Sequence, residues 1–260
     1  MKLQKIIVTN VNYAYIPLLE NLRRSLKKVG LLKFLCVFAV GKNCKKKLDR
    51  LGIENILIND ESAGDQAIRW SWGNWKKMTY QKVKAVNLAL DKFGSFLYTD
   101  PDVVFQKEVF SFLASLPEGF DIYGQDDYPH DRICSGFMYI KNNAATKKLF
   151  SIGWEEYDSL TSIGDQVYIN KKRDWLCMYS LPKDLFLNGI WFVPSRVDFT
   201  PSKELIDNAY IAHYNFAYSI QSKFERMKIN NHLYVKLWRN PFLPAIKYLS
   251  KAVFKYTKNK

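Results

Sequence analysis

The chain has 260 residues, and its 39 Lys and Arg against 25 Asp and Glu give a formal net charge of +14. Hydrophobic residues make up 48% of the chain and aromatic residues 15%. This composition excludes a disordered polypeptide and can build a core without disulfides. The four cysteines form no CxxC pair, so neither a zinc ribbon nor a disulfide framework is indicated. Without a signal peptide, a glycosylation sequon or an apolar run of about 20 residues, we expect a cytoplasmic protein that is not secreted.

The positive charge is concentrated in two segments. Residues 236–260 contain seven basic residues and no acidic one, so they carry half of the net charge. Residues 23–50 contain ten basic residues and a single acidic one, Asp49. Such segments attract nucleic acid, a nucleotide or an anionic membrane surface. For residues 23–50, a solvated basic face is the alternative.

The N-terminal part of the chain alternates between apolar strands and helices. The patterns predict strands over residues 5–10, 34–40 and 55–59, and helices over residues 16–29 and 42–51. Continuous apolar strands separated by helices are typical of βαβ units, whose parallel sheet is covered on both faces. We therefore predict an α/β fold of the nucleotide-binding, Rossmann-like type, with a mixed, mostly parallel sheet.

The rest of the chain continues this pattern. It predicts helices over residues 78–93, 144–157 and 164–171, and strands over residues 95–99, 120–124 and 136–140. No internal repeat or flexible linker divides these elements. We predict one domain over residues 1–235, followed by a tail over residues 236–260.

The tail has the pattern of a basic amphipathic helix. Within residues 245–258, one helical face carries lysines and the other carries apolar residues; they are Lys247, Lys251, Lys255 and Lys258, and Ile246, Leu249, Val253 and Tyr256. Such a helix suits the interface of an anionic membrane and predicts a peripheral membrane association. A helix packed against its own domain would show a similar pattern, so both interpretations remain open.

The sequence Asp100-Pro101-Asp102 follows the predicted strand at residues 95–99. Alternate residues of an extended chain point to the same side, so both carboxylates can face one point. Pro101 biases Asp100 toward extended backbone. Because ligands of open α/β sheets bind at the carboxyl ends of strands, the pair suits Mg²⁺ or Mn²⁺ shared with a substrate diphosphate. Asp-x-Asp alone is unspecific, since a chain of this length contains about one by chance.

Two further loops carry residues suited to ligand contact. Residues 70–75 contain three tryptophans, which would stack on a sugar or base if exposed and would pack densely if buried. Asp126, Asp127 and Asp131 follow a predicted strand and are candidates for binding acceptor hydroxyl groups. Acidic loops are common, so a solvated loop is the alternative.

Six short motifs follow one another along residues 3–225. They are residues 39–53, residues 82–105 with Phe-Leu-Tyr-Thr-Asp-Pro-Asp, residues 134–138 with Cys-Ser-Gly, residues 164–170 with Gly-Asp-Gln, residues 181–189 with Leu-Pro and Asn-Gly, and residues 213–223 with His-Tyr-Asn and a lysine. In this order they resemble the nucleotide-diphospho-sugar transferases, which are glycosyltransferases of the GT-A fold with a metal-binding DxD motif. Cys134 departs from the family, where Asn is usual.

The resemblance implies a metal site and a reaction centre. Asp100, Asp102 and His213 would hold Mn²⁺ or Mg²⁺, although a single histidine such as His213 is more often a packed or surface residue. Asp165 and Gln166 would border the reacting carbon of the donor sugar. Families with this segment generally retain the anomeric configuration of the sugar. Asp165 also fits the N-cap of the helix that follows it.

The same resemblance implies contacts with the nucleotide. Thr9, Asn10 and Tyr13 would lie beside the base and ribose, and strand-end capping is the alternative role for them. Lys223 would contact the diphosphate, and Lys82 would face the same cleft and pair with phosphate or ribose. As an isolated lysine, Lys223 would be interpreted as a solvated surface residue, whereas a lysine on a half-apolar helix, such as Lys82, is a suggestive but unspecific sign.

These expectations together predict a metal-dependent glycosyltransferase, a hexosyl- or pentosyltransferase. It would move a sugar from a nucleotide-diphosphate donor, a UDP-sugar above all, to a glycan or lipid-linked acceptor, with retention. A sugar-phosphate nucleotidyltransferase is one alternative, but it needs a glycine-rich loop after the first strand, and residues 8–13 contain no glycine. The second alternative is a nucleic-acid-binding module, which would not need Asp100 or Asp102. We expect no nucleic-acid partner.

Overall fold

The computed structural model describes residues 3–68, 73–193, 201–217 and 219–235. The strands are β1 Ile7–Val11, β2 Leu35–Val40, β3 Asn55–Ile58, β4 Phe96–Thr99, β5 Val103–Phe105, β6 Ile122–Asp126, β7 Ile133–Ile140, β8 Met178–Leu181, β9 Phe186–Leu187 and β10 Ile211–His213. The α-helices are α1 Ile16–Lys28, α2 Lys42–Arg50, α3 Trp75–Phe93, α4 Phe110–Ser115, α5 Ala144–Phe150, α6 Trp154–Leu160, α7 Asp165–Asn170, α8 Lys203–Asn208 and α9 Ile220–Ile229.

A seven-stranded sheet forms the centre of the fold, in the order β3-β2-β1-β4-β7-β6-β8. The first four strands in this order are parallel to one another. β7 runs antiparallel between β4 and β6, and β8 is parallel to β6. The mixed, mostly parallel α/β sheet expected from the sequence is confirmed.

Both faces of this sheet are covered by helices because its strands are apolar on both sides. On β1, Ile7 and Val11 belong to one apolar cluster, whereas Val8 belongs to the other. The first cluster includes residues of α1, α2 and α4, and the second includes residues of α3, α5, α6 and α7. With both faces occupied, the carboxyl ends of β1 and β4 remain as the edge where polar groups collect.

A second, three-stranded sheet begins directly after the Asp-Pro-Asp turn. Its order is β5-β10-β9, with β10 antiparallel to β5 and parallel to β9. A third apolar cluster, which includes Val104, Ala212 and Phe224, packs this sheet against α1 and α9. β9 and β10 are thereby brought beside the turn that follows β4.

The pairing of β6 with β7 is interrupted beside this edge. Gly124 lies opposite Met138, but the next residue, Gln125, lies opposite Cys134. Residues 135–137 therefore lie opposite no residue of β6 in this register. Bulges of this kind redirect side chains and are frequent next to functional sites.

Several elements differ from those that the sequence patterns predict. The helix expected over residues 144–157 is two helices, α5 and α6, because Gly153 adopts an extended conformation (φ −78°, ψ 167°) between them. α3 begins at Trp75, earlier than the expected residue 78. The expected amphipathic helix over residues 245–258 lies outside the described residues, as does the tail boundary at residue 236. Among the described residues, we find no helix with the length and apolar composition that crossing a bilayer would require.

Candidate active site and metal centre

The Asp-Pro-Asp motif forms a tight turn between β4 and β5. The backbone N–H of Asp100 donates to the carbonyl of Gly136 on β7 at 2.7 Å, and the N–H of Val103 donates back to the carbonyl of Asp100 at 3.3 Å. The turn therefore holds Asp100 and Asp102 at the carboxyl end of β4, which is the position that the sequence predicts.

His213 reaches this turn through backbone pairing. It ends β10 and pairs with Val103 of β5, and the N–H of Tyr214 donates to the carbonyl of Asp102 at 3.2 Å. The Nε2 atom of His213 consequently lies 3.3 Å from Asp102 Oδ1. One ligand atom each from Asp100, Asp102 and His213 lies within 4.8 Å of the other two. The structure thus brings the three predicted metal ligands to one point.

Gly136 is the residue that leaves room for this convergence. A Cβ atom on Gly136 would lie 2.2 Å from Cε1 of His213 and 2.7 Å from Oδ2 of Asp100. Neither side chain can withdraw without losing contacts, since His213 is held by Gln125 and Asp100 is held by Lys82 and Tyr98. A residue larger than glycine at position 136 would therefore collide with the side chains of Asp100 and His213.

Lys223 neutralises the buried carboxylate of Asp102. Its ammonium group forms a short ion pair with Asp102 Oδ2 and donates to the carbonyl of Tyr214 at 2.9 Å. Burial alone would raise the pKa of Asp102, but Lys223 and His213 outweigh that effect and hold the pKa well below its usual value. Asp102 is therefore a carboxylate at neutral pH, as a metal ligand must be.

Lys82 links the metal ligands to the predicted reaction centre. Its buried Nζ lies 3.0 Å from Asp100 Oδ1 and 2.8 Å from Asp165 Oδ2, and it donates to the carbonyl of Ser135 at 3.2 Å. Burial would lower the pKa of Lys82, but the two carboxylates raise it above its usual value. One fixed ammonium group on α3 thus holds two acidic groups from separate parts of the chain.

Gln166 is oriented by contacts at both ends of its amide. The N–H of Ser135 donates to Gln166 Oε1 at 3.3 Å, and Gln166 Nε2 donates to Asp127 Oδ2 at 2.9 Å. Arg132 donates to the same Asp127 oxygen at 2.7 Å. Burial raises the pKa of Asp127 by more than Arg132 lowers it. Asp127, one candidate for binding acceptor hydroxyls, therefore holds Gln166 and the loop that ends at Arg132.

Of the three residues predicted to contact the nucleotide at the end of β1, only Asn10 lies next to the carboxylate of Asp100 through a hydrogen-bonded neighbour. Asn10 Oδ1 lies 2.7 Å from the hydroxyl of Tyr98, which in turn lies 2.8 Å from Asp100 Oδ1. Asn10 therefore adjoins the acidic cluster. Thr9 is fully buried, and it points to the opposite face of the sheet because successive strand residues alternate. Tyr13 is half-buried in the 3₁₀ turn that follows β1.

Three contacts of the site were not predicted. Tyr98 bridges Asn10 and Asp100, and burial together with Asp100 raises the pKa of its hydroxyl well above the usual value, so it remains a hydrogen-bond donor. Gln125 contacts His213, and Ser135 contacts both Lys82 and Gln166. Tyr98 is detectable from sequence as the residue two positions before Asp100 on the same strand face. The other two depend on the bulge in β7, for which the sequence carries no local signal.

The donor set suits a hard divalent cation. His213 Nε2 is buried and has no hydrogen-bond partner among the described residues, although it faces a carboxylate oxygen. Two carboxylates and one imidazole nitrogen match the ligand preferences of Mn²⁺ and Mg²⁺. The residues present therefore fit the metal that the sequence motif implies.

A comparison with models of known protein families shows to which family the chain belongs. The model of the nucleotide-diphospho-sugar transferases matches residues 30–227. The chain belongs to this family. The family that the six motifs resemble is therefore confirmed. A comparison with curated protein sequences found no match.

Solved structures of several glycosyltransferases share the fold of this nucleotide-diphospho-sugar transferase. The glycosyltransferase GlyE of Streptococcus pneumoniae TIGR4 matches 97% of this chain at 17% identity, with a TM-score of 0.58, and the chain spans 64% of the GlyE chain. The galactosyltransferase LgtC, solved with donor and acceptor sugar analogs, matches 88% of this chain and 96% of its own at 14% identity, with a TM-score of 0.55. Mouse xyloside xylosyltransferase 1 matches 83% and 99% at 14% identity, with a TM-score of 0.50. At these identities the comparison establishes the GT-A fold.

Proposed function

We propose that this protein is a metal-dependent glycosyltransferase that uses a UDP-sugar and retains the anomeric configuration of the donor. The observation that carries the proposal is the convergence of Asp100, Asp102 and His213 within 4.8 Å, in a chain of the nucleotide-diphospho-sugar transferase family. Mn²⁺ or Mg²⁺ bound there would neutralise the diphosphate as it leaves. This role would explain why oxygen and imidazole ligands lie at the carboxyl end of a strand, where ligands of open α/β sheets bind.

Two basic residues of the site would adjoin a bound diphosphate. Lys223 contacts Asp102, and Lys82 contacts both Asp100 and Asp165. Asn10 and Tyr13, at and after the end of β1, are our candidates for ribose and base contacts. Thr9 is too deeply buried for this role. The donor would therefore extend from β1 across the metal to α7.

Asp165 and Gln166 would position the donor sugar at the far end of this path. Asp165 is held by Lys82 at 2.8 Å, and a carboxylate in a buried ion pair is a weaker nucleophile than a free one. This contact supports a positioning role for Asp165 over a covalent glycosyl intermediate. Gln166 presents an amide that Asp127 and Ser135 fix in one orientation.

An aromatic pair supports a sugar ring as the acceptor. The rings of Tyr128 and Trp191 are stacked at a centroid distance of 6.0 Å and an angle of 18°. Asn188 Nδ2 donates to the carbonyl of Tyr128 at 2.8 Å and so ties the loop after Asp127 to the turn that carries Trp191. Both rings are half-buried, and aromatic faces pack well against the C–H faces of sugars. We propose a glycan or a lipid-linked sugar as the acceptor.

The segment just before the tail supports contact with an anionic membrane. The N–H of Tyr234 donates to Asn21 Oδ1 at 2.7 Å, Arg24 donates to the carbonyl of Tyr234 at 3.0 Å, and Lys28 lies 4.2 Å from the ring centroid of Tyr234. The described chain thus ends beside the cationic surface of α1. A basic helix over residues 245–258 would extend that surface and would favour anionic lipid.

A panel of nucleotide sugars tests the proposal. The purified protein is incubated with each donor and Mn²⁺, and release of free nucleoside diphosphate is measured with and without a chelator. We expect turnover of one UDP-sugar, which stops when the chelator is added. Free glycans and lipid-linked sugars then identify the acceptor, and NMR of the product identifies the anomer. Failure of every donor to bind or turn over contradicts the proposal.

A further inference from the structure

Gln125 occupies a position on β6 that no water reaches, and both ends of its amide are engaged. Its side chain is fully buried. Its Nε2 donates to the backbone carbonyl of Phe186 at 3.1 Å, and its Oε1 lies 2.8 Å from Nδ1 of His213. A carbonyl accepts hydrogen bonds and does not donate them, so the nitrogen end of the amide must face Phe186. The oxygen end therefore faces His213.

This orientation determines which nitrogen of His213 carries the proton. An amide oxygen is an acceptor only, so the hydrogen bond at 2.8 Å requires a proton on Nδ1 of His213. In a neutral imidazole, Nε2 then carries a lone pair. That atom lies 3.3 Å from Asp102 Oδ1, and two electron-rich atoms at this separation favour a cation between them.

The bulge in β7 makes this contact possible. The register change places Gln125 opposite Cys134, and both residues approach the same ring nitrogen. Cys134 Sγ lies 3.7 Å from His213 Nδ1 and accepts a hydrogen bond from Asn215 at 3.5 Å. Sulfur is a weak acceptor, so the amide oxygen is the stronger partner of Nδ1.

We propose that Gln125 is a positioning residue, which holds His213 as its Nδ1–H tautomer and thereby sets the affinity of the site for a divalent cation. The inference rests on the proposed metal site formed by His213 with Asp100 and Asp102. Partners that orient a ligating histidine typically change metal affinity by about 10–100-fold when they are removed. Gln125 supplies this orientation with a neutral amide, so it adds no charge to the cluster.

The tautomer can be observed directly in the wild-type protein. The chain contains three histidines, so few imidazole signals have to be assigned. ¹⁵N NMR of the metal-free protein near pH 8 should show a proton on Nδ1 of His213. A proton on Nε2 of His213 with none on Nδ1 overturns the inference, whereas a proton on Nδ1, with or without a second one on Nε2, supports it.

A double-mutant cycle tests the effect on metal affinity. Mn²⁺ binding is measured by electron paramagnetic resonance, without donor, for the wild type, Gln125→Met, His213→Ala and the double variant. We expect Gln125→Met to weaken binding about 10–100-fold, and to weaken it by no more than about twofold in the His213→Ala background. Gln125→Glu keeps an acceptor for Nδ1 and should bind Mn²⁺ within about tenfold of the wild type.

Gln81→Met is the matched control. Gln81 is also a buried glutamine, but its Nε2 donates to Asp60 at 3.0 Å, so its loss should leave Mn²⁺ affinity unchanged. Equal weakening by Gln125→Met in both backgrounds, or no weakening at all, overturns the inference while the proposed function stands. If the wild type binds no Mn²⁺, the proposed function fails together with the affinity effect, and the NMR spectrum still decides the tautomer. Should Gln125→Met not fold, Gln125→Glu and the spectrum remain as tests.

Discussion

The ammonium group of Lys82 and the carboxylate of Asp165 form a buried ion pair at 2.8 Å, with only 9% and 7% of the two side chains exposed. The pair joins α3 to the first turn of α7, two elements that are far apart in the sequence. Lys82 also binds Asp100, so a single cation compensates two acidic groups in a poorly hydrated region. Such a group cannot be removed without leaving buried negative charge uncompensated.

We predict that Lys82→Met destabilises the fold by about 3–5 kcal/mol, because removal of one partner from a buried ion pair carries a cost of this size. Urea denaturation followed by circular dichroism gives the free energy of unfolding. Lys92→Met, at an exposed position near the end of the same helix, is the control and should change stability by less than about 0.5 kcal/mol. Equal stabilities of the two variants would contradict the ion-pair interpretation.

Gly136→Ala should disrupt the metal site without unfolding the sheet. The added Cβ would lie 2.2 Å from His213 and 2.7 Å from Asp100, so at least one ligand must move. We expect Mn²⁺ affinity to fall more than about 100-fold, beyond the typical effect of an indirect partner. Gly153→Ala is the control, since its φ of −78° is ordinary and a Cβ there meets no atom within 4 Å. Wild-type affinity in Gly136→Ala would show that the ligands do not converge as described.

His232 predicts a pH dependence of stability. Burial, and then Lys28, lower its pKa from 6.5 to about 4. Between those values the unfolded chain binds more protons than the folded one, so the free energy of unfolding falls as the pH drops from about 6.5 to 4. The shift corresponds to about 3 kcal/mol. Urea titrations across this range should show a smaller loss for His232→Gln than for the wild type. The exposed His130 provides the control His130→Gln, and identical pH profiles for all three proteins would refute the assignment.

The tail prediction is tested by vesicle flotation. A chain that ends at Asn240 should lose binding to anionic vesicles, because residues 245–258 supply the basic apolar helix that we propose. Neutral vesicles should bind neither form. The full chain with Lys247, Lys251, Lys255 and Lys258 changed to glutamine separates charge from apolar contact. If the shortened chain floated with anionic vesicles as well as the full chain does, the proposed membrane contact would be contradicted.

The sequence predicts those parts of the fold that depend on local patterns. The alternation of apolar strands and helices specifies a parallel sheet covered on both faces, and an Asp-x-Asp at a strand end marks the functional edge. The family motifs name His213, Lys82 and Lys223 as neighbours of that edge, and the structure brings all three into contact with Asp100 or Asp102.

The parts that could not be predicted depend on long-range pairing. β5, β9 and β10 are two or three residues long, too short for a hydrophobic period, and their sheet is what carries His213 to Asp102. Gln125 acts only because a bulge in β7 changes the register opposite it. Thr9 lies beside Asn10 in the sequence, but it is fully buried because the alternation of the strand turns it into the core.

Turnover of the donor in matched aspartate variants tests the central claim most directly. Release of nucleoside diphosphate from the best donor is measured with saturating Mn²⁺ for the wild type, Asp102→Asn and Asp91→Asn. Asp91 is exposed near the end of α3 and provides the control for a loss of one negative charge. We predict that Asp102→Asn lowers turnover by more than about 100-fold, as expected for a direct metal ligand, while Asp91→Asn stays within about threefold of the wild type. Undiminished turnover by Asp102→Asn, in a protein that still folds, would contradict the account.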